Sequence, residues 1–216
     1  MQTKSNVKVG DRFFLGHYPQ TENGEEKPIL WDVLDIQDGK ALLVSTYGLD
    51  CKAYDEESEM TLWEISTLRK WLNSQFLDTA FTEQEKQCYI TTTTVKPDPD
   101  VYDSKYEDET QDKIFVLSNS EVKCYFPSEE SRVCIPTSYA LPKGALVDDD
   151  EETEDGKPTC SWWLRTPSKL TRAFTSGVYG SGLLEDGFGF PVCCNEICIR
   201  PALWMQLERP EWADEQ

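Results

Sequence analysis

A single histidine, His17, stands in the chain. Without a second, the common histidine-based nucleophilic triads and histidine-rich zinc sites are excluded, which leaves carboxylate or cysteine chemistry to any enzyme reading. His17 lies between Gly16 and Tyr18, just before Pro19, and is expected to be a turn residue with a structural hydrogen bond. No apolar run reaches the roughly 18 residues of a membrane helix, and the opening Met1-Gln2-Thr3-Lys4-Ser5-Asn6-Val7-Lys8 has no apolar signal region. A cytoplasmic chain is therefore expected. Phosphate loops are lacking too, since neither Gly39-Lys40 nor Gly156-Lys157 has a glycine five residues before it, and Gly177, Gly180 and Gly182 do not make a dinucleotide fingerprint. Basic residues are scarce: 21 against 40 acidic ones leave a formal charge of −19, which repels phosphate backbones and anionic lipid. Neither nucleic acid nor a membrane surface is an expected partner.

Much of that charge sits in two acidic loops expected at about 98–112 and 147–158, the second including Asp148 to Asp155. Neither has the spaced oxygen ligands and central glycine of a calcium-binding hand, so both are read as solvated and metal-free. No long Gly/Ser or Pro linker divides the 216 residues, and a single domain over 1–216 is expected. The apolar share of 38% is low, but the 7 Trp, 9 Tyr and 9 Phe bring enough buried area per residue to build a core.

Periodicity and turn chemistry predict the elements. Val9–Gly16 reads as an opening strand; Ile29–Ile36 and Lys40–Ser45 form a hairpin about Gln37-Asp38-Gly39. Ser66 is the expected N-cap of the strongest helix, with Leu68, Trp71, Leu72 and Phe76 on one face, and a shorter helix is expected over Thr82–Cys88. Ile90–Val95 and Lys113–Leu117 suit strands, and Ser120 is expected to cap a helix reaching Tyr125. Strands are expected again at Trp162–Arg165, Ala173–Val178, Gly187–Val192 and Cys194–Leu207. Helices inserted among strands of the first half argue α+β, with mixed, mainly antiparallel sheets. Within the periodic segments Trp63, Trp71, Trp163 and Trp204 are expected to be mostly buried.

Several motifs together carry a resemblance: Gly16-His17-Tyr18-Pro19-Gln20, Trp31-Asp32-Val33-Leu34, Trp63 to Asn73, Phe115-Val116-Leu117-Ser118, Trp162-Trp163-Leu164-Arg165 and Arg200-Pro201-Ala202-Leu203. The chain resembles, over nearly its whole length, an uncharacterised bacterial family of domains of unknown function. That family is in turn distantly similar to the C-type lectin fold group, which includes the formylglycine-generating enzymes, through the order of Trp-rich strand, glycine loop and final Arg-containing strand. The resemblance implies a C-type-lectin-like single domain without implying an activity.

Two kinds of chemistry are open to these residues. Cys193 and Cys198 share the spacing of the cysteine pair of formylglycine-generating enzymes, but they follow the glycine loop instead of preceding it. On one strand Cys194 and Cys198 would lie about 13 Å apart, too far for a shared metal or a disulfide. Buried structural thiols are the preferred reading. Arg69, Arg165 and Arg200 are expected to cluster with Glu64 or Asp50, either fixing the fold through buried ion pairs, the preferred reading, or lining a pocket. The function expected is a non-enzymatic module that binds a protein or glycan through the surface from Thr166 to Pro191. Candidate contact residues are Trp162, Arg165, Tyr179, Phe188, Phe190 and Arg200, with no catalytic residue, metal or cofactor. A cysteine enzyme of the formylglycine-generating type and a purely structural interaction domain are the alternatives.

Overall fold

The computed structural model describes residues 7–57, 60–99, 107–153 and 155–208. Three long strands open it: β1 (Arg12–Pro19), β2 (Glu26–Gln37) and β3 (Lys40–Ser45). Asp38 and Gly39 both take positive φ, 49° and 72°, and Gln37 faces Lys40. That is the two-residue turn whose twist suits a hairpin, and Asp-Gly tolerates it. Two short strands follow, β4 (Tyr47–Gly48) and β5 (Asp50–Cys51).

Ser66 then accepts from Arg69 N at 3.2 Å and starts α1 (Thr67–Trp71), which passes through a π-helical turn at Leu72–Phe76 into α2 (Leu77–Ala80). Leu68, Leu72 and Phe76 point into the core, as the spacing requires. Trp71 is only half-buried and lies under the Lys52 ammonium. Its face of the helix turns partly to solvent, and the ring packs against the core without being fully enclosed. Thr82 and Glu85 form a reciprocal capping box at the start of α3 (Glu83–Cys88).

Next come β6 (Ile90–Thr91), β7 (Thr93–Val95), β8 (Thr110–Asp112), α4 (Asn119–Tyr125), α5 (Glu129–Arg132) and β9 (Ile135–Pro136). The last third is β10 (Val147–Glu152), β11 (Pro158–Cys160), β12 (Trp162–Pro167), β13 (Phe174–Val178), β14 (Leu184–Pro191), β15 (Cys198–Ile199) and β16 (Ala202–Gln206). The class is α+β, as expected. Among the described residues no helix is long and apolar enough to cross a membrane.

Two five-stranded sheets organise the fold. One runs β1-β2-β3-β16-β6 with every pairing antiparallel; the other runs β14-β13-β12-β15-β5, in which only β12 and β15 are parallel. Side chains from both sheets and from the α1–α2 run join one apolar cluster, in which Trp31, Trp162, Trp163, Tyr54 and Phe76 are fully enclosed. Trp63 is buried with them, while Trp204 is half-buried at the edge of the cluster.

Several boundaries differ from the sequence reading for identifiable reasons. Residues 113–117 form no strand beyond a bridge from Phe115 to Ala202, because Asn73 takes the amides of Lys113 and Ile114 on its Oδ1 at 2.8 and 3.1 Å. The cap of α4 is Ser118, not Ser120: its Oγ accepts from Glu121 N–H, and its own backbone N–H donates to the Glu121 carboxylate. His17 sits in β1 opposite Pro28 and is exposed, so it is no turn residue.

The segment read as an acidic loop at 147–158 contains strand β10, which pairs with β11 in the register Val147 to Cys160. Ladder hydrogen bonds are made by the backbone and are indifferent to side-chain charge. Of the other acidic stretch, residues 100–106 lie outside the described residues and 110–112 form β8.

Candidate ligand-binding surface

The predicted contact residues separate into an interior group and a surface group. Trp162, Arg165, Phe190 and Arg200 are all buried. Arg200 lies between two rings, 5.0 Å from the centroid of Trp162 and 5.1 Å from that of Phe126. Its Nε donates to Ser45 O at 2.8 Å, and its Nη2 lies 3.5 Å from Asp32 Oδ2. Trp162 in turn donates its indole N–H to Arg132 O at 3.1 Å. These contacts hold the Nε and Nη2 edges of the guanidinium from inside the protein, while its buried Nη1 has no hydrogen-bond partner.

Arg165 is a separate site. Its Nη2 reaches Glu121 Oε1 at 2.8 Å, its Nη1 reaches Glu121 Oε2, and Nη1 also donates to Val116 O at 2.9 Å. Arg69 pairs with Asp112 at 2.7 Å instead of joining either one, and Asp50 is held by Lys143 and the Tyr18 hydroxyl. The three guanidiniums therefore have different carboxylate partners: Arg69 has Asp112 and also donates to Glu64 O at 2.9 Å, Arg165 has Glu121, and Arg200 has Asp32, which it shares with Arg12.

A cleft of about 250 Å³ opens beside Arg165, with Phe115, Ser118, Glu121 and Trp204 among its walls. Close by, Asp98 accepts from Thr166 Oγ1 at 2.6 Å and from the Ser120 hydroxyl. Glu107 is the group whose protonation responds to this neighbourhood. Burial, reinforced by the charges of Glu64 and Asp98, pushes its pKa up to about 7. A carboxyl raised on folding binds a proton more readily in the native state, so its contribution to stability is lost as pH rises from about 4.5 to about 7. Glu107→Gln should remove that loss. The urea midpoint of the variant, relative to that of the parent, is expected to climb across this pH window; a constant difference would show that Glu107 titrates normally.

The surface group lies on the β13–β14 hairpin. Register jumps there from Thr175 opposite Phe190 to Gly177 opposite Glu185, so residues 186–189 bulge out of the ladder. The bulge is tightly tied. Glu185 Oε1 accepts from the backbone N–H groups of Gly187, Phe188 and Gly189 at 2.9, 2.8 and 3.4 Å. Gly189 has φ +78°, and a Cβ there would stand 2.2 Å from Thr175 O, so only glycine fits. Phe188, at the tip, is 69% exposed.

Ser168 links the bulge to the preceding loop, donating to Gly187 O at 3.0 Å and accepting from Leu170 N at 3.2 Å. Leu170 is also exposed, at 64%, and the ion pair Lys123–Asp186 lies alongside the bulge. Tyr179 is half-buried, packed edge-on against Phe190 at 5.0 Å; Phe190 in turn meets Trp163 at 5.9 Å. An aromatic relay thus runs from beneath the hairpin into the core. Of the predicted contact residues Phe188 is exposed, and the sequence reading did not include the Glu185 anchor or the exposed Leu170. Glutamate followed by two glycines within four residues was the available signal.

The cysteines are also redistributed. Pro191 ends β14, and Cys193 and Cys194 lie in the turn that follows, Cys194 N donating to Pro191 O at 2.9 Å; Cys198 begins β15. They do not share one strand as expected. Among the described residues no group of three or more His, Cys, Asp or Glu is placed to hold a metal ion.

A family model for a domain of unknown function, DUF6273, matches residues 38–207. The chain belongs to this family. No curated protein and no solved structure matches it. The matched part of the DUF6273 domain begins in the turn after β2, so Gly16–Gln20 and Trp31–Leu34 fall outside it and the match is narrower than the sequence motifs implied. β1 and β2 nonetheless complete the first sheet, and Trp31, with no exposure, donates to Leu15 O at 2.8 Å within it.

Proposed function

We propose that this DUF6273 domain is a non-enzymatic, C-type-lectin-like binding module that grips a protein partner through the β13–β14 bulge. The observation that carries the reading is Phe188: a large apolar side chain, mostly in solvent, on a backbone held by three hydrogen bonds to one carboxylate. An aromatic group left in water gains nothing for the fold, yet its loop is tied by three hydrogen bonds to Glu185. Such a group is preorganised for burial against a partner, because little conformational entropy remains to be lost on binding. Leu170 on the loop tied through Ser168 extends the apolar patch, and the neighbouring Lys123–Asp186 pair provides a polar rim. An aliphatic neighbour favours a protein surface over a sugar. The lectin-like likeness rests on the sequence of Trp-rich β12, glycine-bearing hairpin and Arg200 leading into the last strand.

Phe188→Ala is the direct test. Immobilised parent and variant are compared for partner capture, with a glycan array run in parallel. The variant is expected to lose affinity at least tenfold, as hot-spot aromatics do, while its unfolding midpoint stays within about 0.5 kcal/mol of the parent's. Undiminished capture by the variant would refute the reading, and binding confined to the array would transfer it to a glycan.

A further inference from the structure

The second sheet brings together thiols from opposite ends of the chain. Cys51 of β5 and Cys198 of β15 are antiparallel partners, and their Sγ atoms lie 3.4 Å apart although 147 residues separate them in sequence. Residues directly opposed in an antiparallel ladder have Cα atoms about 4.5–5.5 Å apart, inside the disulfide range of about 4.4–6.8 Å. Closing the bond therefore requires side-chain rotation and no strand movement. Gly48 makes the crowding possible. A Cβ there would come within 3.0 Å of Cys198 Cβ and 3.2 Å of the sulfur atoms of Cys160 and Cys198.

Access is uneven. Cys198 has no exposure, whereas Cys51 keeps 8% at an edge where Lys143 and Asp50 pair at 2.7 Å. Hydrogen bonds from the Cys160 and Cys51 thiols hold the Cys198 pKa down to about 5, and the Cys51 thiol, as donor, is driven well above its ordinary value. The two sulfurs are hydrogen-bonded to each other and titrate as a linked set, not as independent thiols. The larger set, Cys134, Cys160, Cys198 and Cys51, runs as a hydrogen-bonded chain instead of closing around one point.

We propose that Cys51 and Cys198 form a redox modification site, a dithiol that a small hydroperoxide converts into an intramolecular disulfide joining β5 to β15. The thiolate attacks one peroxide oxygen and the O–O bond breaks, giving a sulfenic acid and hydroxide. The partner sulfur then attacks the sulfenic sulfur, the S–S bond forms, and the hydroxyl departs as water with the partner's proton. In total two thiols give up two electrons and two protons, and hydrogen peroxide becomes two waters.

The test uses the folded full chain, treated with hydrogen peroxide at near-stoichiometric amounts, alkylated and mapped by mass spectrometry. The expected result is an intact mass lower by two hydrogens, a cross-linked peptide pair containing Cys51 and Cys198, and full reversal by a thiol reductant. Cys193→Ala should leave the link unchanged; Cys51→Ala and Cys198→Ala should each abolish it. The map of the unsubstituted protein decides the matter even if those last variants do not fold. Oxygen addition without a link, a link through Cys160, or alkylation of both Cys51 and Cys198 after oxidation would each overturn the proposal. So would the same mixture of disulfides from native and urea-unfolded chains, because the pairing would then owe nothing to the fold.

Discussion

Trp163→Ala should cost about 3–5 kcal/mol of stability, read as a large fall in the urea midpoint. The side chain is fully enclosed, its indole N–H donates to Lys52 O at 2.8 Å, and it meets Tyr54 at 5.6 Å and Phe190 at 5.9 Å in edge-on contacts. Truncation leaves a cavity that these rings cannot collapse into, together with an unpaired carbonyl. Trp163→Phe should recover most of the packing but not the hydrogen bond. A midpoint unaffected by Trp163→Ala would mean that the second sheet contributes little to the cooperative core.

The second large effect is expected at Arg165. Replacing it with methionine keeps much of the volume but leaves Val116 O without its donor and the Glu121 carboxylate with only the Ser118 N–H, a loss of about 3–5 kcal/mol for a broken buried pair. Glu121 is 30% exposed in its side chain, so water recovers part of that cost and the lower end of the range applies. Pairing Arg165→Met with Glu121→Gln separates the terms. The double variant should be more stable than the sum of the single losses predicts, because the second substitution removes the stranded charge. Strict additivity would show that the two side chains act independently. A ligand-binding role for Arg165 would have to compete with these internal bonds.

The α1 start, the α3 helix and the β2–β3 hairpin were legible because each depends on residues a few positions apart: Ser66 with Arg69, the run Thr82–Cys88, Asp38 with Gly39. Less visible were features set by distant partners. Nothing near Cys51 announces Cys198, and nothing near Arg69 announces Asp112. The acidic β10 is hidden for the reverse reason, since its composition signals solvation while its backbone answers to β11. At the candidate surface, the aromatic content of the β13–β14 hairpin could be read directly, but which phenylalanine faces water could not. Residues 186–189 break the two-residue alternation that would have assigned Phe188 and Phe190 to the same face.

The place of β16 has a consequence for biosynthesis. It lies between β3 and β6, and the Arg200 side chain that precedes it bonds Ser45, 155 residues earlier. While the chain is still emerging from the ribosome, β3 can pair with β2, but its other edge has no partner until β16 arrives. That edge carries Leu42, Leu43 and Val44, all destined for the interior. Until the C-terminal strand is delivered, the nascent protein presents an apolar sheet edge of the kind that recruits chaperones or other unfinished chains.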